Sequence, residues 1–466
     1  MSYNRQRVLF YLVFLFCLCS ACRTIEASLP ELQVDEAEAF TPKESIMNIE
    51  LQINMAPVLN LVEKSTPKTF TGAKAVCEGV SYNYDFKRKP IVFSTSSNEV
   101  NYTLKGDFSL KLNYCPLCVS LLGKSSCTVP RISGSCGIGE PRRRYSMTYG
   151  TSIKLNKDYS LSSQTHLKNF QINDPCEITF INIDVTNKVK AEVENELKAM
   201  ESKIDKEISA IDVKSKVDSV WKALKTPIEL GPYGYLFMNP NRIAISDLRY
   251  NDKEALFNLN LFFSPFISTQ KQEVINNNLG DMPDYNQVSG FDITADLNAG
   301  YDSLSSLLKK EFYNYEILIK GREFIIKDLS IIGASEGKLV FKVSFDGHRN
   351  GIFYLIGTPV LDEENQILSF EDIDFEIKTK SFLLKSAQWI MSKSLIHQIK
   401  EKSSIDLSQK IITIKSQLLE KMNGEIQDGV MAETSIDKLR IMNLLLTSKS
   451  ITIRTSITGD LKITLD

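Results

Sequence analysis

The stretch EITFINIDVTNKVKAEVENELKAMESKIDKEISAI, residues 177–211, changes its hydrophobic period midway. Its first nine residues, ending at Val185, read as a strand. From there the apolar residues recur in steps of three and four: Val189, Val193, Leu197, Met200, Ile204, Ile208 and Ile211. That spacing draws one continuous apolar stripe along a long α-helix. The opposite face carries Lys, Glu and Asp, with Glu and Lys often three or four residues apart, as suits a solvated helical face. The stripe runs on toward Trp221 and Leu224 and stops at Pro227, which cannot continue a helix. A one-sided helix is stable only when its stripe is buried against a partner.

The flanking sequence supplies that partner as alternating strands. Ile49, Leu51, Ile53 and Met55 alternate with polar residues, and Pro57 then opens a short helix. Phe291, Ile293, Ala295 and Leu297 alternate in the same way, followed by a helix from Tyr301. Strand patterns come next in each half: Lys89–Phe93 and Val100–Phe108 in the first, Arg322–Leu329 and Lys338–Phe345 in the second. A late strand, Glu177–Val185 or Leu368–Ile377, hands over to a long helix. The second long helix runs from about Leu383 through Trp389, Ile390, Leu395, Ile396 and Ile399. After a break at Ser403-Ser404 it resumes at Leu407, Ile411, Ile414, Leu418 and Leu419. Both halves close on strands, Arg242–Leu248 and Ala255–Leu261, then Leu439–Leu444 and Ser450–Ile463.

This order reads as an internal duplication. The fold class it predicts is α+β: two tandem rolls, each a bent antiparallel sheet wrapped around a long amphipathic helix. Such a roll either packs solid or leaves an apolar channel between sheet and helix. Candidate channel residues are Val193, Leu197, Met200, Ile204, Phe257, Phe263 and Trp389. Phe257 and Phe263 share a parity, which sends them to one face of a strand. The boundaries are 1–22, 23–44, 45–285 and 286–466: a signal, a tether, and the two sheet-plus-helix units.

The signal is read from Arg5 and Arg7, the apolar run Val8–Leu18, and the small residues before Cys22. The run is too short for the roughly 20 residues of a membrane span, and no second run is long enough. Ser20-Ala21-Cys22 resembles the lipobox of bacterial lipoproteins, in which the cysteine is lipidated. Leu18 stands four residues before the cysteine, where that pattern places a leucine at three. The alternative is an ordinary secretory signal cut after Ala21. Residues 23–44 are polar and acidic and read as a flexible tether.

Nine cysteines occur, and the six beyond the signal are Cys77, Cys115, Cys118, Cys127, Cys136 and Cys176. In an exported chain six cysteines read as up to three disulfides, with connectivity left open. Cys115-Pro-Leu-Cys118 has zinc or redox spacing, but it follows a strand pattern rather than opening a helix, and His166 is the only histidine in that half. Structural disulfides are the expected use. The formal net charge of -2 argues against a nucleic-acid partner.

The sequence contains no Gly-x-Ser-x-Gly elbow, phosphate-binding loop or His-Glu-x-x-His motif. His348 reads as a turn residue and His397 as a helix-surface residue. Asp372, Asp374 and Glu376 share one strand face beside Glu371, which reads as a solvated face rather than a calcium site. Arg142, Arg143 and Arg144 read as surface charge, with contact to anionic lipid headgroups as the sharper alternative. No enzyme activity, cofactor or metal is expected.

The element order resembles the tubular lipid-binding proteins, the superfamily of bactericidal/permeability-increasing protein. A more detailed resemblance is to a bacterial envelope family, domain of unknown function 4403. It is carried by Ser135-Cys136-Gly137 with Pro141-Arg142-Arg143, and by Asp174-Pro-Cys176 through Asp184-Val-Thr. Further matches are Trp221 through Pro227, Met238-Asn-Pro240, Gly351 through Asp362, and Leu384-Lys-Ser-Ala-Gln-Trp389. That family has no assigned activity. The resemblance implies a Cys136–Cys176 disulfide, and Cys115-x-x-Cys118 reads as a departure from it. The expected function is that of an exported, lipid-anchored protein, attached to the membrane through Cys22. It would bind a lipid or other apolar ligand in a channel between sheet and helix. The alternative is a structural lipoprotein with solid cores. The expected location is the bacterial outer membrane, facing the periplasm.

Overall fold

The computed structural model describes residues 24–26, 40–121, 123–178, 183–230, 234–272, 278–319, 322–347, 350–376, 397, 400 and 404–465. Cys22, His348 and the second helical stripe with Trp389 therefore lie outside the described residues. The chain is mostly sheet, with five helices among the described residues, and only one of these is long.

β1 (Ser45–Asn54) leads into α1 (Ala56–Ser65), which carries a proline in its first turn where the missing N–H costs nothing. The first sheet follows. It comprises β2 (Thr69–Lys74), β3 (Gly79–Arg88), β4 (Glu99–Cys115), β5 (Arg143–Leu155) and β6 (Leu161–Ile172), ordered β6-β5-β4-β3-β2. Short strands Val92–Ser96 and Ile132–Cys136 also pair with β4, giving seven strands. Gly106 on β4 sits opposite Arg88 and Tyr145. A Cβ there would lie 2.0 Å from the Lys87 carbonyl oxygen, so the tight bend of β4 requires glycine, and the Tyr145 ring covers it.

The predicted late strand of the first half is instead a hairpin stub, with Glu177–Ile178 paired to Ile183–Asp184. The predicted long helix is broken into two. α2 spans Thr186–Ser209 and α3 spans Lys214–Lys225. The break has a local cause: the Asp212 carboxylate accepts the Ser215 N–H at 3.0 Å and so starts a new helix. α3 ends at Thr226, which is extended, as expected before Pro227.

β7 (Glu254–Phe263) closes the first half, and β8 (Phe291–Gly300) with α4 (Tyr301–Phe312) opens the second. The second sheet is built on β9 (Arg322–Ser335), β10 (Lys338–Gly347), β11 (Asn350–Asp362) and β12 (Ile367–Glu376). It is also seven-stranded. Bulges at Ile326/Asp328, Ile331/Gly333 and Ile356/Thr358 bend it. Thr24–Glu26, inside the stretch read as a tether, pairs in parallel with Asn350–Ile352. α5 (Ser408–Met422) then precedes two long strands, β13 (Val430–Leu446) and β14 (Ser450–Leu465).

An eleven-stranded central sheet takes strands from both halves. β1 pairs antiparallel with β7, and β8 pairs antiparallel with β14, so each opening strand lies beside its own closing strand. The halves join where Ile49–Ile53 of β1 run parallel to Leu461–Leu465 of β14. α3 covers this sheet near β7, where Trp221, Ile243, Leu261 and Phe263 form a buried cluster.

Three disulfides link Cys77 to Cys118, Cys115 to Cys127 and Cys136 to Cys176. The last ties β4's neighbour strand to the start of α2 across 40 residues of sequence. Arg88 is the second anchor. Its guanidinium, 1% exposed, donates to the Glu63 carboxylate and to the carbonyl oxygens of Glu63, Thr66 and Pro67 at 2.7–3.0 Å. These are the carbonyls that the end of α1 leaves without helical partners.

Two outcomes follow from these anchors. Replacing Cys136 and Cys176 together by Ser removes a loop constraint worth about 4 kcal/mol in the chain-entropy picture. Chemical denaturation should read that loss, together with increased amide exchange at the start of α2. Arg88→Met removes the ion pair and leaves the partly exposed Glu63 carboxylate its hydrogen bond from the Ile91 N–H. It should cost roughly 2–3 kcal/mol in the same assay and release α1, seen as proteolytic cleavage within 56–65.

Candidate functional site

The site is built by strand alternation. On β4 every even-numbered residue but Gly106 is apolar or aromatic: Val100, Tyr102, Leu104, Phe108, Leu110, Leu112 and Tyr114. The odd positions are Asn101, Thr103, Lys105, Asp107, Ser109, Lys111 and Asn113. Alternation sends the first set to one face and the second to the other. Register carries the apolar face across the sheet. Phe86 pairs with Phe108, Tyr84 with Leu110 and Tyr82 with Leu112. On the other side Tyr102 pairs with Tyr149 and Leu104 with Met147. The rings interlock, with Phe86 stacked on Phe108 at 4.9 Å and Tyr102 on Tyr149 at 5.4 Å.

α2 lies over this face. Val189 and Leu197 are buried in the sheet's core, and Val193 packs against it. The helix is held along the edge strand β6. There the Leu167 N–H donates to the Glu201 carboxylate at 2.7 Å and the Thr165 N–H to Asp205 at 3.2 Å. The Ser163 hydroxyl also donates to Asp205, at 2.8 Å. The acidic side of α2 thus satisfies edge N–H groups that would otherwise be bare. Tyr149 donates its hydroxyl to the Leu197 carbonyl at 3.1 Å. At the opposite edge Lys74 of β2 reaches Glu192 of the same helix at 3.5 Å. Both edges of the curled sheet therefore meet one helix.

The space between sheet and helix, half open to solvent, measures about 1600 Å³. Its floor is the even-numbered face of β3 and β4 and the odd-numbered face of β5. Its roof is the stripe of α2, and Met55, Val58, Leu59 and Val62 of the α1 segment close one side. The stripe is not fully covered: Met200 is 40% and Ile211 55% exposed.

Four of the sequence candidates, Val193, Leu197, Met200 and Ile204, line this cavity. Phe257 and Phe263 do not. They lie on β7 of the central sheet, where Phe263, 1% exposed, packs with Trp221 of α3. Trp389 and Cys22 are outside the described residues. The floor residues of β3, β4 and β5 were not candidates, although seventeen residues of near-unbroken alternation in β4 mark them in the sequence.

The remaining candidates are structural. Arg142 contacts Asp107 and donates to the Asp85 carbonyl at 2.6 Å. Arg143 pairs with Glu140 and Arg144 with Asp174, each at 2.7 Å. These arginines bind carboxylates of the chain itself. The bulge in β12 breaks the expected alternation at Asp372, whose φ is 47°, and Glu371, Asp372 and Asp374 are solvent-exposed. Among the described residues no group of three His, Cys, Asp or Glu is placed to hold a metal ion.

Burial governs the titration of the cavity floor. Desolvation pushes the Tyr145 hydroxyl up to about 12, and it raises Tyr102 and Tyr149 as well. The Tyr145 hydroxyl is buried without a hydrogen-bond partner among the described residues. Polar groups in the floor are thus confined to tyrosine and threonine hydroxyls, while Lys74, Lys188, Glu192, Glu196 and Glu207 come from the cavity's margins.

Among the described residues, fold and cavity together define a mostly-β protein whose curled first sheet and one long helix line a half-open apolar space. Residues 43–465 match the family described as Domain of unknown function (DUF4403), and the chain belongs to it. Among solved structures it is similar to lipopolysaccharide binding protein, at 9% identity over 90% of this chain and 99% of that one, with a TM-score of 0.24. It is also similar to P47 of Clostridium botulinum E1, at 11% identity over 89% and 98%, with a TM-score of 0.20. P47 from Clostridium botulinum A2 is similar at 9% identity over 89% and 97%, with a TM-score of 0.23. No curated protein matches the sequence.

The raised tyrosines set an alkaline limit on stability. A tyrosine ordinarily titrates near pH ~10 when unfolded. Tyr145, Tyr159 and Tyr301 are each raised to about 12 in the fold by burial. Their contribution is complete below pH ~10 and is lost as pH rises through about 12, because the unfolded chain releases its protons first. Denaturation midpoints should fall across that window, and ultraviolet titration should show tyrosinate appearing together with unfolding.

Proposed function

We propose that the first sheet and α2 bind a lipid acyl chain, or an apolar ligand of similar length, inside the cavity. The observation that carries this reading is the apolar lining of a half-open space of about 1600 Å³. That exceeds the roughly 300–1,000 Å³ of pockets that take drug-sized molecules. An elongated ligand suits it better than a compact one. Burying a methylene is worth about 0.8 kcal/mol, so a chain of roughly sixteen carbons gains about 12 kcal/mol. Association costs about 4–15 kcal/mol, which is of the same size as that gain, so binding would be reversible.

The finer architecture belongs to the same proposal. The first unit wraps its sheet around α2, and the stripe through Leu395, Ile396 and Ile399 supports a matching roll in the second. We place the protein outside the cytoplasm as a bacterial lipoprotein anchored at Cys22, facing the periplasm from the outer membrane. Three disulfides in one unit support an oxidising compartment. The Val8–Leu18 run and Cys22 support export and anchoring. We assign it a binding role rather than catalysis, since hydroxyls and apolar groups dominate the cavity floor.

Native mass spectrometry of residues 23–466, before and after organic extraction, tests the reading. A bound mass that disappears on extraction is the expected result, and its identity names the ligand class. Val193→Trp, which narrows the space beneath α2, should weaken retention of that mass while leaving the circular dichroism spectrum unchanged. A clean apo mass for the unsubstituted protein purified from membranes would overturn the proposal.

A further inference from the structure

The far end of the first sheet carries a second feature. Strand register places Val80, Tyr114 and Ile132 side by side across β3, β4 and Ile132–Cys136. All three line the cavity, yet they are 46%, 44% and 52% exposed. The cavity's apolar lining therefore runs out to solvent at this end. Beyond it lies a small knuckle, the hairpin of Cys118–Leu121 with Lys124–Cys127. Leu117, Val119 and Val129 extend the apolar surface there, at 54%, 44% and 43% exposure. The knuckle is rigid. Cys77–Cys118 and Cys115–Cys127 staple its base, and the Thr128 N–H and hydroxyl both donate to the Leu117 carbonyl at 3.0 Å.

Contiguous exposed apolar side chains on a rigid scaffold mark an interaction surface rather than chance exposure. The charge around them selects the partner. From Phe108 to Gly139 the sequence contains no Asp or Glu, and it carries the exposed cations Lys111, Lys124 and Arg131. The neighbouring Glu78 carboxylate, which accepts the Cys118 N–H at 3.0 Å, is one anion against these three cations. An apolar tip with a net positive surround fits a bilayer surface with anionic headgroups, where side chains seat among the acyl chains and Lys or Arg meets phosphate.

We propose that this knuckle is a docking tip for an anionic lipid surface and that it presents the open end of the cavity to the bilayer. The lipid-transfer half of that statement rests on the acyl-chain reading of the cavity, whereas docking does not. A seated mouth would let a chain move between leaflet and cavity without crossing water. Because the disulfides hold the tip in shape, little ordering is needed on contact.

The test is made on the full chain carrying Val119→Trp, with the unsubstituted chain as background for Trp221 and Trp389. Vesicles of phosphatidylethanolamine and phosphatidylglycerol with brominated acyl chains are compared with brominated phosphatidylcholine vesicles. The expected result is a blue shift and quenching of the introduced indole on the anionic vesicles, weakened by high salt. Adding Leu117→Ser and Val129→Ser, neither of which lines the cavity, should lower that partition by about 10-fold. Absence of quenching on the anionic vesicles would overturn the proposal, as would equal quenching on both vesicles or quenching that the two serines leave unchanged. A vesicle-free shift that grows with protein concentration would assign the patch to a second copy and overturn it equally. Native mass spectrometry of the serine variant separates the two claims. A retained cavity ligand with lost docking is the expected outcome. Docking by an unsubstituted protein that carries no ligand would leave the tip standing and remove the cavity reading.

Discussion

The concave face of the first sheet has to be kept from water, and one helix is too narrow to cover it. Five strands at roughly 4.8 Å spacing present a face about 20 Å wide. A helix with its side chains is about 10 Å across. The sheet responds by curling until both edges meet α2, at Glu201 and Asp205 on one side and Glu192 on the other. Curling narrows the uncovered face without closing it. The residual space is the cavity, and its apolar lining is the ordinary core face of a sheet that lacks a second covering layer.

That arrangement needs a stiff frame, because an uncovered apolar face invites collapse. The frame is supplied at the margins. The Cys136–Cys176 disulfide holds the start of α2, and Arg88 ties the end of α1 to β3. Gly106 lets β4 bend under the Tyr145 ring. The stacked pairs Phe86–Phe108 and Tyr102–Tyr149 stiffen the floor. The central sheet plays a different part. It joins the two halves through β1 and β14, and its face near α3 is filled by Trp221 and its neighbours.

Much of this was legible in the sequence, for physical reasons that can be named. The stripe from Val189 to Ile208 and the alternation through β4 are period signals, and period is what side-chain direction obeys. The strand-helix order repeated at Ser45 and Phe291 is visible for the same reason. Three features were not legible. The split of the long helix depends on the Asp212–Ser215 cap, a local competition that an apolar stripe does not report. Which aromatic strand faces the cavity depends on which sheet it joins, and Phe263 joined the central one. The pairing of Cys77 with Cys118 and of Cys115 with Cys127 depends on how a knuckle folds back, which spacing leaves open.

The central claim is that the space beneath α2 is occupied by an acyl chain. Photo-crosslinking with a diazirine-bearing fatty acid, added to the extracted protein and followed by peptide mapping, tests it at the level of residues. The account predicts adducts on Met200 and Ile204 of α2 and on Leu112 and Met147 of the floor, displaced by unlabelled fatty acid. Adducts confined to the central sheet around Trp221, or labelling that unlabelled fatty acid does not displace, would contradict it.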